Sequence, residues 1–505
     1  MKHIHYLFVL LLFTYTLNAQ VPGAALFDDA MLHEIHFNNA DTTIFINSKS
    51  YQSVDMIVDG VTVSNIGFKK KGNISASHPN NKFPFKIKTN KYVSGQKYDD
   101  IKEFTLHNSY QDPTYMREKI TYDICKDMGL HSLRTAYAKV YINGAYWGLY
   151  TLVEGKDQLY KLQFGNNDGD AIESLDFGNM CYIDQNQASY DYDLSGAPNY
   201  QLENGSATTA WPRFISMLDA ANNTSDASYV STVSQSLNLE DFFTYQALNV
   251  YLLNFDSYIG FKGNQIYYYD TLNTMWQVIP WDFNASLGLW DSNNHSPTSY
   301  SILPNAITTG CIASKLQTVP ALNNYYMDAM CLMNQSLLDT TTINNRIDQL
   351  KAQIQTAVYT DWRKMYSNTE FDNTLGYGYY NNILAGENIP ALKTFFADRA
   401  TVISQGLISE GYSCPTVSTQ NILTEDASNN WLVYPNPSSD GSFTIEFDAI
   451  DKYTIEIFNS LGQKIQEDTV DNTTSTNIQL DSGVYFISVR SQNNSIVRST
   501  TIIAQ

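Results

Sequence analysis

The sequence has little charge for its length, and most of that charge is negative. Charged residues make up 16% of the 505, and 51 Asp and Glu against 31 Lys and Arg give a formal net charge of −20. Proteins that bind nucleic acid through its phosphates need a basic surface, so this balance argues against a general nucleic-acid binder. Hydrophobic residues reach 43%. Such a chain can bury a core, which excludes wholesale disorder.

Several common site patterns are also absent. No Gly-x-x-x-x-Gly-Lys-Ser/Thr motif occurs, which excludes a P-loop nucleoside triphosphatase. No apolar run beyond the N-terminus approaches the about 20 residues of a membrane-spanning helix. The cysteines include no Cys-x-x-Cys pair, which argues against a zinc site, and their odd number leaves at least one thiol unpaired. The five are Cys125, Cys181, Cys311, Cys331 and Cys414.

The first residues predict a secretory signal peptide over residues 1–19. Lys2 precedes an apolar run over residues 6–15, and Ala19 offers a small residue at the cleavage position. The run is too short to span a bilayer comfortably, and a buried N-terminal helix is the alternative. Export would permit disulfides, although the spacing does not decide their pairing.

The length predicts two or three domains, and the pattern changes near the C-terminus. Residues 27–413 alternate strand-like and helix-like stretches, which predicts an α+β fold. Residues 414–430 are rich in Ser, Thr and Asn, as linkers are. Residues 431–505 contain short alternating strands separated by turns, which predicts a small all-β sandwich.

This last segment resembles the C-terminal sorting domain of the type IX secretion system of Bacteroidetes. The resemblance implies that the type IX secretion machinery is a partner. It also implies export through the periplasm to a secreted or cell-surface location. A carbohydrate-binding or adhesive module is the alternative, but the tail lacks the aromatic platform of such modules. The matching segments are Tyr434-Pro435-Asn436-Pro437, Ile457-Phe458-Asn459-Ser460-Leu461-Gly462-Gln463 and Leu480-Asp481-Ser482-Gly483-Val484-Tyr485.

One dense basic patch stands out in residues 69–88. Lys71-Gly72-Asn73 predicts a turn, and Lys86-Ile87-Lys88 predicts a strand with alternating lysines. A glycine turn beside such a strand could present backbone amides and an ammonium to an anion. A hairpin whose lysines simply face solvent is the alternative.

The next segments predict a helix and a hairpin. Asp112 before a proline is a plausible N-cap, and Gly129 is a natural residue to follow the helix. Glu118, one turn in, could be a surface charge or an ion-pair partner. Asn143-Gly144 predicts a tight hairpin whose return strand ends at Glu154.

Acids and amides end apolar elements in the second half. A buried helix predicted over residues 240–253 is followed by Asp256, a strand begins after Asn264, and a second strand leads to Asp282. One hairpin would bring these side chains together. Two carboxylates and an amide suit Mg²⁺, which prefers oxygen ligands, and an acid not committed to metal could act as a base. Each residue alone could instead be a cap or turn residue.

The passenger, residues 27–413, resembles the CotH family of atypical, spore-coat-type protein kinases. The resemblance implies a two-lobed kinase-like fold that binds ATP and Mg²⁺ (or Mn²⁺) and phosphorylates Ser or Thr of protein substrates. The landmarks are Lys71-Gly72-Asn73-Ile74-Ser75, Asp112-Pro113-Thr114-Tyr115-Met116-Arg117-Glu118, Tyr141-Ile142-Asn143-Gly144-Ala145-Tyr146-Trp147-Gly148-Leu149-Tyr150, Asn254-Phe255-Asp256 and Ile279-Pro280-Trp281-Asp282-Phe283.

The resemblance assigns roles to single residues. Asp256 matches the catalytic-loop aspartate, Asp282 matches the metal-binding aspartate of the Trp-Asp-Phe motif, and Asn264 is the candidate second metal ligand. This is the division of labour that phosphoryl transfer requires.

The nucleotide would be held by residues of the first half. Lys86 or Lys88 would hold the ATP phosphates, Glu118 would orient that lysine, and Glu154 would lie near the adenine.

Two departures from the family pattern put activity, rather than fold, in doubt. Asn284 stands where the family usually has a second aspartate, and Lys82-Phe83 replaces a Lys-Lys pair. A catalytically weak or inactive kinase-like scaffold is therefore the second hypothesis. The richness in Tyr and Trp suggests a third, a secreted glycan-binding or adhesive protein.

Overall fold

The computed structural model describes residues 21–175, 177–192, 199–289, 296–382 and 387–414. Towards the C-terminus it describes residues 431–434, 438, 441–459, 464–480, 483–491 and 497–504. The chain divides into two compact units, the first ending at Cys414 and the second beginning at Pro415. The predicted signal peptide over residues 1–19 and all of the predicted linker except Cys414 lie outside the described residues.

Seven strands of the described residues close into a barrel in the order β1-β2-β3-β4-β5-β7-β6. Neighbouring strands are antiparallel except β1 and β6, whose parallel pairing closes the barrel. The strands are β1 (Leu32–Asn38), β2 (Gln52–Val58), β3 (Val61–Lys70), β4 (Phe85–Lys88), β5 (Glu103–His107), β6 (Thr135–Ile142) and β7 (Ala145–Glu154).

Alternating side chains give the barrel an apolar core and a polar outer face. The barrel core includes Phe85 and Ile87 of β4 and Leu106 of β5. Their neighbours along each strand point outward, because successive side chains of a strand face opposite sides. Asn143 and Gly144 have φ of 50° and 80° in the turn between β6 and β7, which confirms the predicted hairpin.

Helices and a second sheet form the rest of the first unit. The sheet has the order β11-β10-β8-β9, and β12 pairs with β13. These strands are β8 (Ala171–Ser174), β9 (Tyr200–Asn204), β10 (Gln265–Asp270), β11 (Met275–Pro280), β12 (Tyr379–Asn382) and β13 (Glu387–Pro390). The helices are α1 (Ile44–Asn47), α2 (Arg117–Asp127), α3 (Lys156–Phe164), α4 (Ala188–Asp191), α5 (Ala207–Asn223), α6 (Tyr229–Val233), α7 (Leu239–Tyr251), α8 (Asn305–Thr308), α9 (Pro320–Leu332), α10 (Thr340–Thr360), α11 (Asn368–Leu375) and α12 (Leu392–Ser409).

Two helix predictions have different outcomes. The helix expected over residues 240–253 is confirmed as α7, and the Asn238 side chain caps it by accepting from the backbone N of Asp241. The helix expected to begin at Asp112 begins at Arg117. Tyr115 has a φ of 60°, a left-handed conformation that a helix cannot include, so residues 112–116 form a turn.

Two disulfides lie in this unit, Cys181–Cys311 and Cys331–Cys414, and Cys125 is a buried free thiol. The second disulfide ties the residue that ends the unit to α9. The structure thereby supplies the pairing that the spacing of the cysteines left open.

The second unit is all β, as predicted, while the finer prediction of a sandwich of two sheets stays a prediction, since the described strands belong to one connected sheet. Its core includes Phe443, Ile445, Ile455 and Ile487. The stretches expected to be two short strands, residues 443–447 and 453–458, are one continuous strand, β15, because β16 pairs along both halves across a shift in register. The strands, all members of one connected sheet, are β14 (Trp431–Tyr434), β15 (Ser442–Asn459), β16 (Lys464–Gln479), β17 (Gly483–Ser491) and β18 (Val497–Ala504).

A fully buried ion pair joins the barrel to the helices. Lys82, between β3 and β4, places Nζ 2.7 Å from Oδ2 of Asp361, the residue after α10, and neither side chain is exposed. The backbone N of Leu149 donates to the same oxygen at 3.1 Å. Gly148 permits this approach, since a Cβ there would lie 2.7 Å from that oxygen. Burial lowers the pKa of Lys82 and the Asp361 carboxylate opposes this shift.

We expect Asp361→Ala to lower the free energy of unfolding by about 3–5 kcal/mol, because the Lys82 ammonium would stay buried without a counter-charge. Urea unfolding followed by tryptophan fluorescence measures the change. The matched control is Asp348→Ala, whose carboxylate is 60% exposed and pairs with Lys393; its loss should cost less than about 1 kcal/mol. Equal losses in the two variants would contradict the importance of the buried pair.

Candidate functional site

Four segments that are distant in sequence meet beside the outer face of the barrel. Lys71 follows β3, His107 ends β5, Glu118 lies in the first turn of α2, and Asp282 follows β11. Leu106 points into the barrel core, so its neighbour His107 points outward, towards α2. The barrel and the helical part thus each contribute to one site.

His107 links Lys71 to Glu118. Lys71 Nζ lies 2.8 Å from His107 Nε2, and His107 Nδ1 lies 2.7 Å from Glu118 Oε1. The Thr105 hydroxyl lies 3.1 Å from Nε2. An ammonium can only donate and a carboxylate can only accept. This pattern assigns the imidazole proton to Nδ1 and makes Nε2 the acceptor.

Burial and the neighbouring charges both shift the pKa of Lys71. Its side chain is partly exposed, and burial lowers its pKa, while the carboxylates of Asp282 and Glu118 oppose the shift and the Lys156 ammonium adds to it. Both ammoniums lie over the Trp281 ring, with Nζ 5.6 Å (Lys71) and 4.4 Å (Lys156) from its centroid. The site therefore sets two ammoniums beside the carboxylates of Glu118 and Asp282.

The Asp282 carboxylate lies ready for a cation. The residue has a φ of 53°, and its backbone N donates to the Tyr122 hydroxyl at 3.2 Å. Its Oδ1 is buried and has no hydrogen-bond partner among the described residues. A buried carboxylate oxygen without a partner is costly, and a metal ion would satisfy it.

Ligand atoms of His107, Glu118 and Asp282 all lie within 4.8 Å of one another, close enough to surround a metal ion. Both imidazole nitrogens are already engaged, by Lys71 and by Glu118. A metal ligand needs a free lone pair, so His107 cannot bind a cation while these contacts persist. The carboxylates of Asp282 and Glu118 are therefore the groups of this set that suit a metal.

The structure brings Asn264 and Asp256 towards the same end of the β10–β11 hairpin. Asn264 Nδ2 donates to the backbone O of Asp256 at 2.9 Å. Gln265 pairs with Pro280, so Asn264 precedes that pair on one strand while Asp282 follows it by two residues on the other. This register brings the backbones of Asn264 and Asp282 to the same end of the hairpin, and a shared role of the two side chains stays a prediction.

Lys86 and Lys88 lie on β4, next to β5, where Lys86 pairs in register with Thr105. Their side chains point outward from β4, with Nζ 2.6 Å (Lys86) and 4.0 Å (Lys88) from the Glu103 carboxylate. The ion pair expected between one of these lysines and Glu118 is not found among the described residues, where Glu118 pairs with His107. The β4–β5 register sets Lys88 opposite Glu103 and Lys86 opposite Thr105, so Glu103 is the carboxylate beside these lysines.

Glu154 is buried and held by Arg134. The Arg134 Nε lies 3.1 Å from Glu154 Oε2, and the backbone N of Arg134 donates to the same oxygen at 3.1 Å. These contacts join the end of β7 to the residue before β6. The expected role of Glu154 near an adenine remains a prediction.

The two departures from the family pattern differ in their surroundings. Phe83 belongs to the barrel core, and Lys82 is buried against Asp361. A lysine in place of Phe83 would thus have to be accommodated in an apolar interior. Asn284, in contrast, is partly exposed two residues after Asp282.

Sequence reasoning overlooked His107 and took Lys71 only as part of a turn. The available signal was the alternation of Thr105 and His107 on a strand that leads into the helix of Glu118. Alternate polar residues on a strand of an apolar-cored barrel share its outer face, where a site can form.

Two family models match the chain. The model described as CotH kinase protein matches residues 68–403, and the model described as secretion system C-terminal sorting domain matches residues 432–504. The sorting domain indicates export and a secreted or cell-surface location, and it implies interaction with the secretion machinery. Within the described residues no helix has both the length and the apolar character to cross a membrane.

Three curated proteins are similar to parts of the chain. Inner spore coat protein H of Bacillus subtilis is 27% identical over 192 residues, which are 37% of this chain and 50% of the relative. Invasin CotH2 of Rhizopus delemar is 21% identical over 258 residues, 48% of this chain and 42% of the relative. Ulvan lyase NLR42 of Nonlabens ulvanivorans is 40% identical over 75 residues, 14% of each chain. The chain thus spans at most half the length of these relatives.

We expect Lys71 to react with an amine-specific acylating reagent at a lower pH than the exposed Lys97 does. Burial lowers the pKa of Lys71, so a larger fraction of its amine is neutral and nucleophilic at a given pH above neutrality. Competitive labelling between pH 7 and pH 10 followed by mass spectrometry measures both residues in one sample. Labelling of Lys71 only at the same pH as Lys97, or higher, would contradict the lowered pKa.

Proposed function

The chain belongs to the CotH kinase protein family, whose model matches residues 68–403 of its 505, and we propose that it is an exported protein kinase. It would bind ATP with Mg²⁺ or Mn²⁺ at the candidate site and transfer the γ-phosphate to Ser or Thr of secreted or cell-surface proteins. Its sorting domain supports such a location for the substrates.

The observation that carries the proposal is the meeting of a lysine, a glutamate and an aspartate at one site. Protein kinases use a lysine held by a glutamate for the phosphates and an aspartate for the metal. Lys71, linked to Glu118 through His107, and Asp282 have the chemistry for these parts.

The metal would be held by oxygen atoms at the end of the β10–β11 hairpin. Oδ1 of Asp282 is buried and has no partner in the described part of the chain, and Mg²⁺ prefers such hard oxygen ligands. Asn264, at the same end, could supply its amide oxygen. When bound, the ion would neutralise the charge of the phosphates.

Asp256 would act as the base. It would accept the proton of the Ser or Thr hydroxyl as that oxygen forms its bond to the γ-phosphorus. The bond from this phosphorus to the bridging oxygen breaks, and ADP leaves with the electron pair. Asp256 is partly exposed, in the loop after α7, so a protein substrate could reach it.

The architecture supports a two-lobed, kinase-like arrangement. The barrel and the helical part have separate hydrophobic cores, and the chain passes from β7 to α3 through Gly155. The site lies where residues of both parts meet. A nucleotide between two such parts would be enclosed on both sides, as catalysis of phosphoryl transfer requires.

Asn284 favours one alternative, a kinase-like scaffold without strong catalysis. It stands two residues after Asp282, where a carboxylate would add a charged oxygen ligand, and an amide contributes a weaker one. Asp282 would then hold the metal with one charged ligand fewer. Activity measurements separate the two functions.

We expect the purified passenger to label itself or a generic protein acceptor from ATP labelled at the γ-phosphate when Mg²⁺ or Mn²⁺ is present. Asp282→Asn should lower this labelling about a hundredfold or more, because the phosphate charge would lose its neutralising ion. Asp348→Asn, on the exposed side of α10, is the control and should label as wild type does. If wild type shows neither label nor an ATP-dependent thermal shift, the kinase proposal is wrong and the scaffold hypothesis is the one that is left.

We expect Asp256→Asn to separate transfer from nucleotide binding. The amide cannot accept the hydroxyl proton, so transfer should fall about 10²–10⁴-fold, while ATP affinity measured by calorimetry changes little. A variant that keeps full transfer activity would remove Asp256 from the role of base.

A further inference from the structure

The strand that leads into α2 carries a histidine where a kinase would place its lysine. In protein kinases the phosphate-binding lysine lies on a strand and pairs directly with a glutamate on a helix. Here β5 precedes α2, and the residue of β5 that meets Glu118 is His107, with Nδ1 2.7 Å from Oε1. The ammonium that meets this histidine therefore comes from another part of the chain.

Lys71 supplies that charge from the end of β3. Its backbone N donates to the backbone O of Pro84, just before β4, at 2.9 Å. From there its side chain reaches the outer face of β5, where Nζ meets His107 Nε2 at 2.8 Å. The lysine thus comes from two strands away in the barrel order and meets the glutamate only through the imidazole.

The imidazole is well fixed for this task. His107 and Glu118 are both buried, with side chains 9% and 7% exposed, and the Thr105 hydroxyl also contacts Nε2. A buried, doubly hydrogen-bonded ring has one orientation, so the position of its acceptor nitrogen is defined. A smaller or apolar residue would leave the Glu118 carboxylate without this donor and the Lys71 ammonium without this acceptor.

We infer that His107 is a positioning residue that holds Lys71 towards the phosphates of the nucleotide, by passing the anchoring effect of Glu118 through its ring. This inference rests on the proposed function, since it names how the lysine of that same site is held. Lys71, rather than a residue of β5, is then the phosphate ligand.

A double-mutant cycle on ATP binding tests the link. Lys71→Met and His107→Leu should each weaken the calorimetric affinity about ten- to a hundredfold, the value of a hydrogen bond to a charged group. The double variant should be no weaker than Lys71→Met alone, because His107 acts through that lysine. If the affinity of the double variant falls by the product of the two single losses, His107 acts independently of Lys71 and the inference is overturned.

Moving the lysine provides a second test that does not depend on His107→Leu folding well. In Lys71→Met/His107→Lys the ammonium arises from β5 and can pair with Glu118 directly. We expect this variant to bind ATP about tenfold more tightly than Lys71→Met alone, the lower end of the range for a charged hydrogen bond. An affinity equal to or below that of Lys71→Met would overturn the inference.

Controls on the barrel surface separate this effect from general changes. Lys97→Met removes an exposed lysine paired with Asp100, and His36→Gln removes a partly exposed histidine beside Glu34; both should bind ATP as wild type does. Thermal unfolding of each variant checks the fold. Wild type that binds no ATP overturns the proposed function and this inference together. Wild type that binds, with an unaffected His107→Leu, overturns this inference alone.

Discussion

The buried ion pair of Lys82 and Asp361 is the constraint on which the arrangement of the first unit depends. Both side chains are fully buried, so each charge is tolerable only while the other is present. Lys82 belongs to the barrel segment and Asp361 follows α10, which obliges these parts to stay in contact. The backbone of β7 joins them through Leu149, and the absence of a side chain at Gly148 makes the room.

The loop that contains Lys82 also connects the buried ion pair to the candidate site. Residues 71–84 leave β3 at Lys71 and return to β4 after Lys82, and their ends are joined by the hydrogen bond from Lys71 to Pro84. Asn108, next to His107, donates to the backbone O of Lys82 at 2.6 Å. The segment is therefore held near its C-terminal end by the buried Lys82–Asp361 ion pair and at its N-terminal end by the contact of Lys71 with His107. A segment held at both ends fixes the position of the Lys71 ammonium more closely than a free loop would.

Sequence patterns predicted the elements well and their partners poorly. The Asn143-Gly144 turn, helix α7 and the strand before Asp282 follow from local rules of turn, cap and periodicity. The grouping of Asn264 with Asp282 followed from one short hairpin. The family resemblance implied that Glu118 orients Lys86 or Lys88, yet both lysines meet Glu103. Which strands are neighbours decides such contacts, and strand order is not local information.

By itself the sequence determined the compartment, the division into passenger and sorting tail, and the set of residue types available for phosphoryl transfer. These follow from composition, from short motifs and from the family resemblances that those motifs carry, all of which depend only on neighbours along the chain. The tertiary structure alone decided that Lys71 meets Glu118 through His107, and that Lys82 is buried against Asp361. The reason is that closing the barrel brings the end of β3, the end of β5 and the first turn of α2 to one site, over separations at which no pattern in the chain specifies a partner.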